Sequence, residues 1–240
     1  MDDYPLALVT GAAHRLGRTF ALTLARQGYA ILLHYHHSAE AAAATAEEVR
    51  TLGVPVFPTE ADLTNLAQIQ SLFAIIDSSN FRLRVLVNSA ARMSHADLRT
   101  VSVDDWDASL NLNLRAPLLI AQLAVQRMVE GGLIINVTDA GVGRAWNGFP
   151  AYLVSKAGLE VLTRLMAKKY APSIRVNAIA PGLVLPSADI STEEWDKLVD
   201  RLPLKHPVSL DEIASALEFL LKNESITGQT IVVDSGYSLI

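Results

Sequence analysis

Residues 6–17 read LALVTGAAHRLG, an apolar run followed by a glycine-containing turn. The apolar run predicts a buried strand. The next residues, RTFALTLARQG (18–28), repeat apolar side chains at helical spacing and end in a glycine that stops the helix. A strand, a glycine turn and a helix N-terminus together form a place where backbone N–H groups can bind a phosphate. Alone, the pair Gly11 and Gly17 is a weak signal, since tight turns before helices are common in α/β proteins.

The order of strand and helix continues along the chain. The patterns predict further strands at 30–35, within 54–64, at 83–87, 133–137 and 230–233, and helices at 39–52, 65–77, 103–129, 151–170 and 209–221. Strands that alternate with helices indicate parallel β/α units. We therefore expect one domain, residues 1–240, of the α/β class with a doubly wound parallel sheet of the Rossmann type.

Composition narrows the classes of protein further. Half of the 240 residues are apolar, the net charge is −5, and lysines and arginines are scattered, so no basic face for nucleic acid is expected. The chain has no cysteine, which excludes disulfides and thiolate chemistry. The apolar runs are too short to span a membrane and the N-terminus is acidic. These features predict a soluble, cytoplasmic protein with a small-molecule substrate.

Polar and small residues follow the predicted strands at the ends where parallel sheets bind ligands. They are the Gly11 turn, His36 to Ser38, Asp62 with Leu63, Asn88 with Ser89 and Ala90, and Asp139. Asp62 and Leu63 would border an adenine ring, and the small residues after Asn88 would let a cofactor pass close to the backbone. This convergence predicts a dinucleotide site.

The second strand ends in His36, His37 and Ser38, without an acidic residue. An acid at this position would hold the ribose 2′-hydroxyl of NAD. Histidine and serine can instead donate to a 2′-phosphate, and Arg15 or Arg18 could add charge, so NADPH is favoured over NADH. The alternative is an ordinary polar strand end. No metal site is predicted, since no carboxylate accompanies these histidines at ligand spacing.

Residues 139–156, DAGVGRAWNGFPAYLVSK, contain a carboxylic acid, a phenol and an amine. Tyr152 and Lys156 lie four apart on a predicted helix and so share one face. An adjacent ammonium would lower the tyrosine pKa from about 10 and make Tyr152 a proton donor or acceptor. The alternative is a solvated helix surface. Thr138 competes with Asp139 as the third group, and because strand neighbours point to opposite faces only one of them can reach Tyr152.

Together these motifs resemble those of the short-chain dehydrogenase/reductase family. The matching residues are Thr10, Gly11 and Gly17, Asn88 to Ala90, Asn113, Tyr152 with Lys156, 176–182 (VNAIAPG), and the tail 226–236. Arg15 stands where most members carry a second glycine, and Asp139 where most carry a catalytic serine. Pteridine reductases and dihydromonapterin reductases share both changes, and the chain most resembles that group.

The resemblance implies an NADPH-dependent reductase that transfers hydride to the C=N bond of a dihydropteridine or dihydrofolate. The implied catalytic residues are Tyr152 as proton donor, Lys156 on the nicotinamide ribose, Asn113 holding a water behind Lys156, and Asp139. The implied cofactor-binding residues are Gly11, Arg15, Leu16, Gly17, His36, His37, Ser38, Asp62, Leu63, Asn88, Ser89, Ala90, Tyr152, Lys156, Pro181 and Gly182. The implied substrate-binding residues are Arg15, Met93, Asp139, Tyr152 and Trp195.

Two residues leave the substrate open. A serine hydroxyl only steadies a carbonyl oxygen, whereas the Asp139 carboxyl can also donate a proton or accept from ring N–H groups. Pterin-reducing relatives, however, place an aromatic residue at the position of Met93 and a serine at that of Ala91. A carbonyl or 3-oxoacyl reductase is therefore the first alternative. A protein that senses the NADP redox state without turnover is the second, although it would not need Tyr152 and Lys156.

Residues 183–206 lack a regular pattern, and the resemblance implies that they form a mobile flap over the substrate, with Trp195 and Leu198 as its apolar wall. Relatives pair the helices around 112–129 and 152–170 across a dimer axis. We therefore expect a homo-oligomer, either a dimer or a tetramer.

Overall fold

A computed structural model describes residues 4–144, 146–187 and 190–240 of the chain. Its strands are β1 (Pro5–Val9), β2 (Ala30–Tyr35), β3 (Val56–Glu60), β4 (Arg82–Asn88), β5 (Met128–Val137), β6 (Ile174–Pro181) and β7 (Thr230–Val233). They form one sheet in the order β3-β2-β1-β4-β5-β6-β7, and every neighbouring pair is parallel. The predicted doubly wound α/β fold is confirmed. The strand order reverses between β1 and β4, which is where such sheets bind ligands.

Helices cover both faces of this sheet. They are α1 (Arg15–Arg26), α2 (Ala39–Thr51), α3 (Leu66–Ser78), α4 (Val103–Leu110), α5 (Ala116–Val125), α6 (Pro150–Tyr170), α7 (Thr192–Arg201) and α8 (Leu210–Lys222). Successive strand residues point to opposite faces. In β1, Ala7 and Val9 join the core under α1, α2 and α8, while Leu6 and Leu8 join the core under α3, α5 and α6. Burial on both faces explains why the strands read as continuous apolar runs. In the part of the chain that the structure describes, no helix has both the length and the apolar character that crossing a membrane requires.

Two segments differ from the predicted pattern. The helix predicted at 103–129 is broken by a π-helical turn at Asn111–Arg115, and β5 already begins at Met128. Hydrophobic periodicity does not detect such a local widening of the helix. Residues 192–201, predicted only as part of a flap, form α7, which begins at a capping box between Ser191 and Glu194. Residues 188 and 189 of the predicted flap lie outside the described residues.

A chain of buried hydrogen bonds fixes α6 against the sheet. The Asn88 side chain in β4 donates to that of Asn136 in β5 at 2.8 Å, and Asn136 donates to the Thr163 hydroxyl in α6 at 2.8 Å. All three side chains are buried, where a lost partner is costly. This chain therefore holds α6, and with it Tyr152 and Lys156, in one orientation.

Candidate active site

A cleft of about 1420 Å³ opens at the carboxyl ends of the strands. This volume exceeds the roughly 300–1,000 Å³ of a pocket for one small ligand. The cleft therefore has room for a dinucleotide and a substrate together. It brings together all the predicted site residues except Asn88 and Asn113: Gly11, Arg15, Leu16, Gly17, His36, His37, Ser38, Asp62, Leu63, Ser89, Ala90, Met93, Asp139, Tyr152, Lys156, Pro181, Gly182 and Trp195.

The glycine turn lies so close to the loop after β4 that side chains are excluded. A Cβ on Gly11, whose φ is +64°, would lie 2.9 Å from the Cα of Ala90, and one on Gly17 would lie 2.0 Å from the Gly11 carbonyl oxygen. The Thr10 hydroxyl accepts from the N–H groups of Ser89 and Ala90 at 3.0 and 3.1 Å. The turn thus presents bare backbone at the N-terminus of α1, as a dinucleotide phosphate requires, and the residues fit such a group.

His34 supports this turn from β2, a role that the sequence did not reveal. The Gly11 N–H donates to His34 Nδ1 at 3.0 Å, so Nε2 carries the proton and donates to the Ala61 carbonyl at 2.9 Å. Burial lowers the pKa of His34 to about 4, against the opposing effect of the Ala61 hydrogen bond. The neutral imidazole therefore links the glycine turn to the end of β3.

His36 and His37 lie at the end of β2 with their ring centres 3.5 Å apart. Asp62 lies close to both, although it follows the neighbouring strand β3. Burial opposes the ionisation of Asp62, but two hydrogen bonds from Thr64 and the charges of His36 and His37 leave its pKa below the usual value. This end of the cleft therefore combines two imidazoles, the Ser38 hydroxyl and one carboxylate.

Both arginines that were predicted to face a phosphate bind other protein groups. Arg15 has a left-handed φ of +51°, at the position where most relatives have glycine, and its guanidinium donates to the carbonyls of Leu185 and Pro186, each at 2.9 Å. Arg18 forms an ion pair with Glu48. Glu48 thus pairs with the charge that Arg18 was expected to add near a phosphate, so that contact stays a prediction, and Arg15 connects the glycine turn to the segment after β6.

Asp139, rather than Thr138, is the partner of Tyr152. The Tyr152 hydroxyl donates to Asp139 Oδ2 at 2.7 Å, and the Gly141 N–H donates to Oδ1 at 2.7 Å. The Thr138 hydroxyl instead donates to the Ile179 carbonyl at 3.4 Å. Lys156 donates to the Val137 carbonyl at 2.6 Å, and its Nζ lies 5.7 Å from the centre of the Tyr152 ring.

Burial dominates the protonation of these three groups. Burial raises the pKa of Asp139, although the hydrogen bonds of Tyr152 and Gly141 and the charge of Lys156 oppose it. Burial and then the charge of Asp139 raise the pKa of Tyr152 well above 10, and burial lowers the pKa of Lys156 to about 8. The prediction that Lys156 lowers the tyrosine pKa is wrong for this arrangement, because the carboxylate, not the ammonium, touches the phenol. The Tyr152–Asp139 pair therefore retains a proton near neutral pH.

Asn113 lies in the π-helical turn, outside the cleft. Its amide nitrogen donates to the Arg92 carbonyl at 2.8 Å and to the Ser155 hydroxyl at 3.0 Å, and its oxygen accepts from the Arg92 N–H at 2.9 Å. The side chain thus joins the loop after β4 to α6. The role of Asn113 in holding a water behind Lys156 stays a prediction.

An aromatic wall lies beside Asp139, and it was not predicted from the sequence. Its rings are those of Trp146, Phe149 and Tyr237. A Cβ on Gly141 would lie 2.8 Å from the indole of Trp146 and 2.9 Å from Asp139 Oδ1, so the indole lies beside the carboxylate. The ring centre of Trp146 is 5.8 Å from that of Phe149 and 5.5 Å from that of Tyr237. The run AWNGF at 145–149 was the available signal. Met93, where an aromatic residue was sought, lines the cleft but is 50% exposed.

The fold and these residues define an α/β dinucleotide-binding oxidoreductase. The family model for enoyl-(acyl carrier protein) reductase matches residues 11–238. The chain is 33% identical to 1-cyclohexenylcarbonyl-CoA reductase of Streptomyces collinus, covering 100% of the chain and 89% of the relative. It is 33% identical to 3-oxoacyl-[acyl-carrier-protein] reductase FabG of Staphylococcus aureus, covering 96% of each.

Among solved structures, FolM alternative dihydrofolate reductase 1 from Brucella canis, complexed with NADP, superposes with a TM-score of 0.92 at 31% identity, covering 98% of the chain and 94% of that protein. The chain belongs to the short-chain dehydrogenase/reductase family.

Proposed function

We propose that this protein is an NADPH-dependent reductase of the pteridine reductase type, acting on the C=N bond of a dihydropteridine or dihydrofolate. The observation that carries the proposal is the 2.7 Å hydrogen bond between Tyr152 and Asp139, where most relatives have a serine. When bound, NADPH supplies the hydride. A half-buried acid and a buried phenol that share a proton can deliver it to a ring nitrogen, which a serine cannot do as readily.

Each group of the site has a task in this proposal. Tyr152 protonates the substrate, and Asp139 replenishes the phenol or accepts a ring N–H. Lys156 keeps two N–H donors beyond the one bound to the Val137 carbonyl, and these serve the ribose of the nicotinamide. Burial lowers the pKa of Lys156 to about 8, so it is still mainly charged at neutral pH.

The aromatic wall supports a flat, conjugated substrate. Trp146 lies next to Asp139, and together with its neighbours Phe149 and Tyr237 it supplies the ring surface that Met93 does not. Aromatic rings stack favourably on planar heterocycles and gain a contribution beyond burial, whereas a linear acyl chain would gain only from burial against the wall. The absence of an aromatic residue at position 93 is therefore no argument against a pterin.

NADPH is the proposed cofactor because two imidazoles and the Ser38 hydroxyl line the end of the cleft at β2. These groups can donate to a 2′-phosphate, while the carboxylate in this region belongs to Asp62 on the adjacent strand. The NADP in the related FolM structure supports the same cofactor.

We also propose that residues 183–206 form a flap over the substrate. The Arg15 guanidinium ties the beginning of this segment to the glycine turn. Trp195 and Leu198 of α7 line the cleft from the other side. Closure would exclude water from the Asp139 carboxyl and favour proton delivery.

A carbonyl or 3-oxoacyl reductase is the second candidate. The relatives named for 3-oxoacyl and acyl-CoA substrates, at 33% identity, favour it. In that case Asp139 would only orient a C=O group through Tyr152. The half-exposed Met93 would then border an acyl chain.

The decisive assay follows NADPH oxidation with dihydrobiopterin, dihydrofolate, 3-oxoacyl thioesters and simple ketones for the parent and for Asp139→Ser. We expect the parent to reduce a pterin and Asp139→Ser to lose about 100-fold in kcat with it. Asp107→Ser, which removes an exposed carboxylate outside the cleft, is the matched control. Inert pterins together with ketone reduction that is faster in Asp139→Ser would refute the proposal.

A further inference from the structure

We infer that Arg144 and Arg201 form an anion-binding subsite at the outer part of the cleft, and that the substrate carries a carboxylate tail, as dihydrofolate does on its glutamate group. The inference rests on the proposed function and deepens it. It separates two pterin classes, since the dihydroxypropyl tail of dihydrobiopterin is neutral.

Arg144 lies over the Tyr237 ring of the aromatic wall, and its guanidinium retains N–H donors for a ligand. Its guanidinium carbon lies 4.3 Å from the ring centre of Tyr237, and Nη1 donates to the Tyr237 carbonyl at 3.2 Å. A guanidinium has five N–H donors, and this one forms no ion pair with a carboxylate of the described residues. Stacking and one hydrogen bond thus fix the position of a cation whose charge is not neutralised.

Arg201 of α7 is the second cation of this subsite. It is the last residue of that helix, it is exposed, and it lines the cleft. Within the ranges 4–144, 146–187 and 190–240 it has no ion-pair partner either. Burial raises the pKa of Tyr237 to about 12, while the charges of Arg144 and Arg201 lower it and that of Asp139 raises it. Tyr237 is therefore within electrostatic reach of both cations and of the acid.

The burial of the charged and polar side chains therefore decreases from the inner to the outer part of the cleft. Tyr152 and Lys156 are buried, Asp139 and Arg144 are half-buried, and Arg201 is exposed. The indole of Trp146 reaches both parts of the cleft, because it lies against Gly141 next to the acid and its ring centre is 5.5 Å from that of Tyr237, over which Arg144 lies. A pterin ring stacked on the wall beside the acid, with the carboxylates of its tail at the arginines, matches this order.

Arg144 and Arg201 are local positive groups on a protein whose net charge is negative. The chain has a net charge of −5, so the overall field repels an anionic substrate and binding must depend on local positive groups. Guanidinium groups are well suited to carboxylates because their paired N–H donors match the two oxygens. A neutral tail would leave both cations without a partner.

The test compares kcat/KM for dihydrofolate and dihydrobiopterin in the parent, Arg144→Gln, Arg201→Gln and the double variant. We expect each single change to lower kcat/KM for dihydrofolate roughly tenfold, mainly through KM, and the double change more, while the value for dihydrobiopterin stays within about twofold. Arg144→Lys should recover part of the loss. The control is Arg82→Gln, an exposed arginine at the opposite end of β4.

Two results would overturn the inference while leaving the proposed function intact. Equal losses for both pterins would mean that the arginines act through the fold, and unchanged kinetics for dihydrofolate would mean that they do not bind the tail. If the parent itself reduces neither pterin, the proposed function fails and the inference with it. Thermal unfolding of each variant checks that it folds. If Arg144→Gln does not fold, the kinetics of Arg201→Gln, which changes an exposed residue, decide the result.

Discussion

Asp139 changes the behaviour of Tyr152 through its charge as well as through its hydrogen bond. A neutral serine would leave the phenol pKa to burial and to Lys156, whereas the contacting carboxylate raises it further. Because burial raises the pKa of Asp139 as well, the two groups hold at least one proton between them at neutral pH. A pair in this state is prepared to donate a proton rather than to abstract one.

This pair predicts that Asp139→Asn gains stability and loses function. A carboxyl whose pKa is raised in the folded protein binds a proton more tightly there than in the unfolded chain, so the parent loses stability as the pH rises above the ordinary value of 3.8. The amide that replaces the carboxyl cannot ionise, and the variant escapes that loss. We expect a higher Tm than the parent at pH 7, a smaller difference at pH 4, and a loss of about 100-fold in pterin turnover. Thermal scans at both pH values check this, and a lower Tm at pH 7 would contradict it.

His34 predicts a pH dependence of the opposite sign. Its folded pKa of about 4 lies below its unfolded value of 6.5, so its contribution to stability is complete above pH 6.5 and is lost as the pH falls toward 4. A difference of that size corresponds to about 3 kcal/mol of unfolding free energy. Urea unfolding of the parent and of His34→Gln between pH 7 and 4 measures it. The variant should be less stable at pH 7 but should show a shallower slope, and identical slopes would disprove the assignment.

At the level of elements, glycine is required at position 17 of α1 because the backbone packs closely there, and not because of its φ angle. Gly17 has no positive φ, yet its Cβ would lie 2.0 Å from the Gly11 oxygen, whereas Gly28 has a φ of +85° with nothing within 4 Å. Gly28→Ala should therefore cost only about 1 kcal/mol, the strain of a left-handed residue. Gly17→Ala must displace the turn itself.

We therefore expect Gly17→Ala to weaken NADPH binding by at least tenfold, as measured by fluorescence titration, and Gly28→Ala to leave the Kd unchanged. The comparison separates steric exclusion at the turn from backbone strain, since both changes add the same methyl group. Equal Kd values for the two variants would show that the turn tolerates a side chain at position 17.

The sequence predicted well those helices and strands that are determined by their own local pattern of apolar and capping residues. The strand at Ala30–Tyr35 and the helix capped by Ser209 follow from local periodicity and capping, and both occur as expected. The spacing of Asp139, Tyr152 and Lys156 predicted that these side chains share one site, and all three line the cleft, with Tyr152 hydrogen-bonded to Asp139. The contribution of Tyr237 to the aromatic wall and the link through His34 were not predictable, because they join residues far apart in the chain: Gly11 and His34, for example, are separated by 23 positions. The pKa of Tyr152 was predicted in the wrong direction, since spacing shows neighbours but not burial.

At the scale of the whole molecule, α6 presents two different faces. Tyr152 and Lys156 point into the cleft, while Val154, Val161 and Leu165 are 48%, 48% and 61% exposed. Their spacing of seven and four residues places these three side chains on one stripe of the helix. An exposed apolar stripe on a long helix favours association with a second copy, so the expectation of a homo-oligomer stays a prediction with a defined surface.

The double variant Val161→Glu with Leu165→Glu tests that surface. Two carboxylates facing their own symmetry mates would repel across a twofold interface, where the same patch meets itself. Light scattering after gel filtration should show the parent at a multiple of 25.9 kDa and the variant shifted toward 25.9 kDa. Leu52→Glu, directly after α2 at the other side of the sheet, should keep the parent's mass. Since α6 also carries Tyr152 and Lys156, dissociation should lower Tm and turnover together, and an unchanged mass in the double variant would place the interface elsewhere.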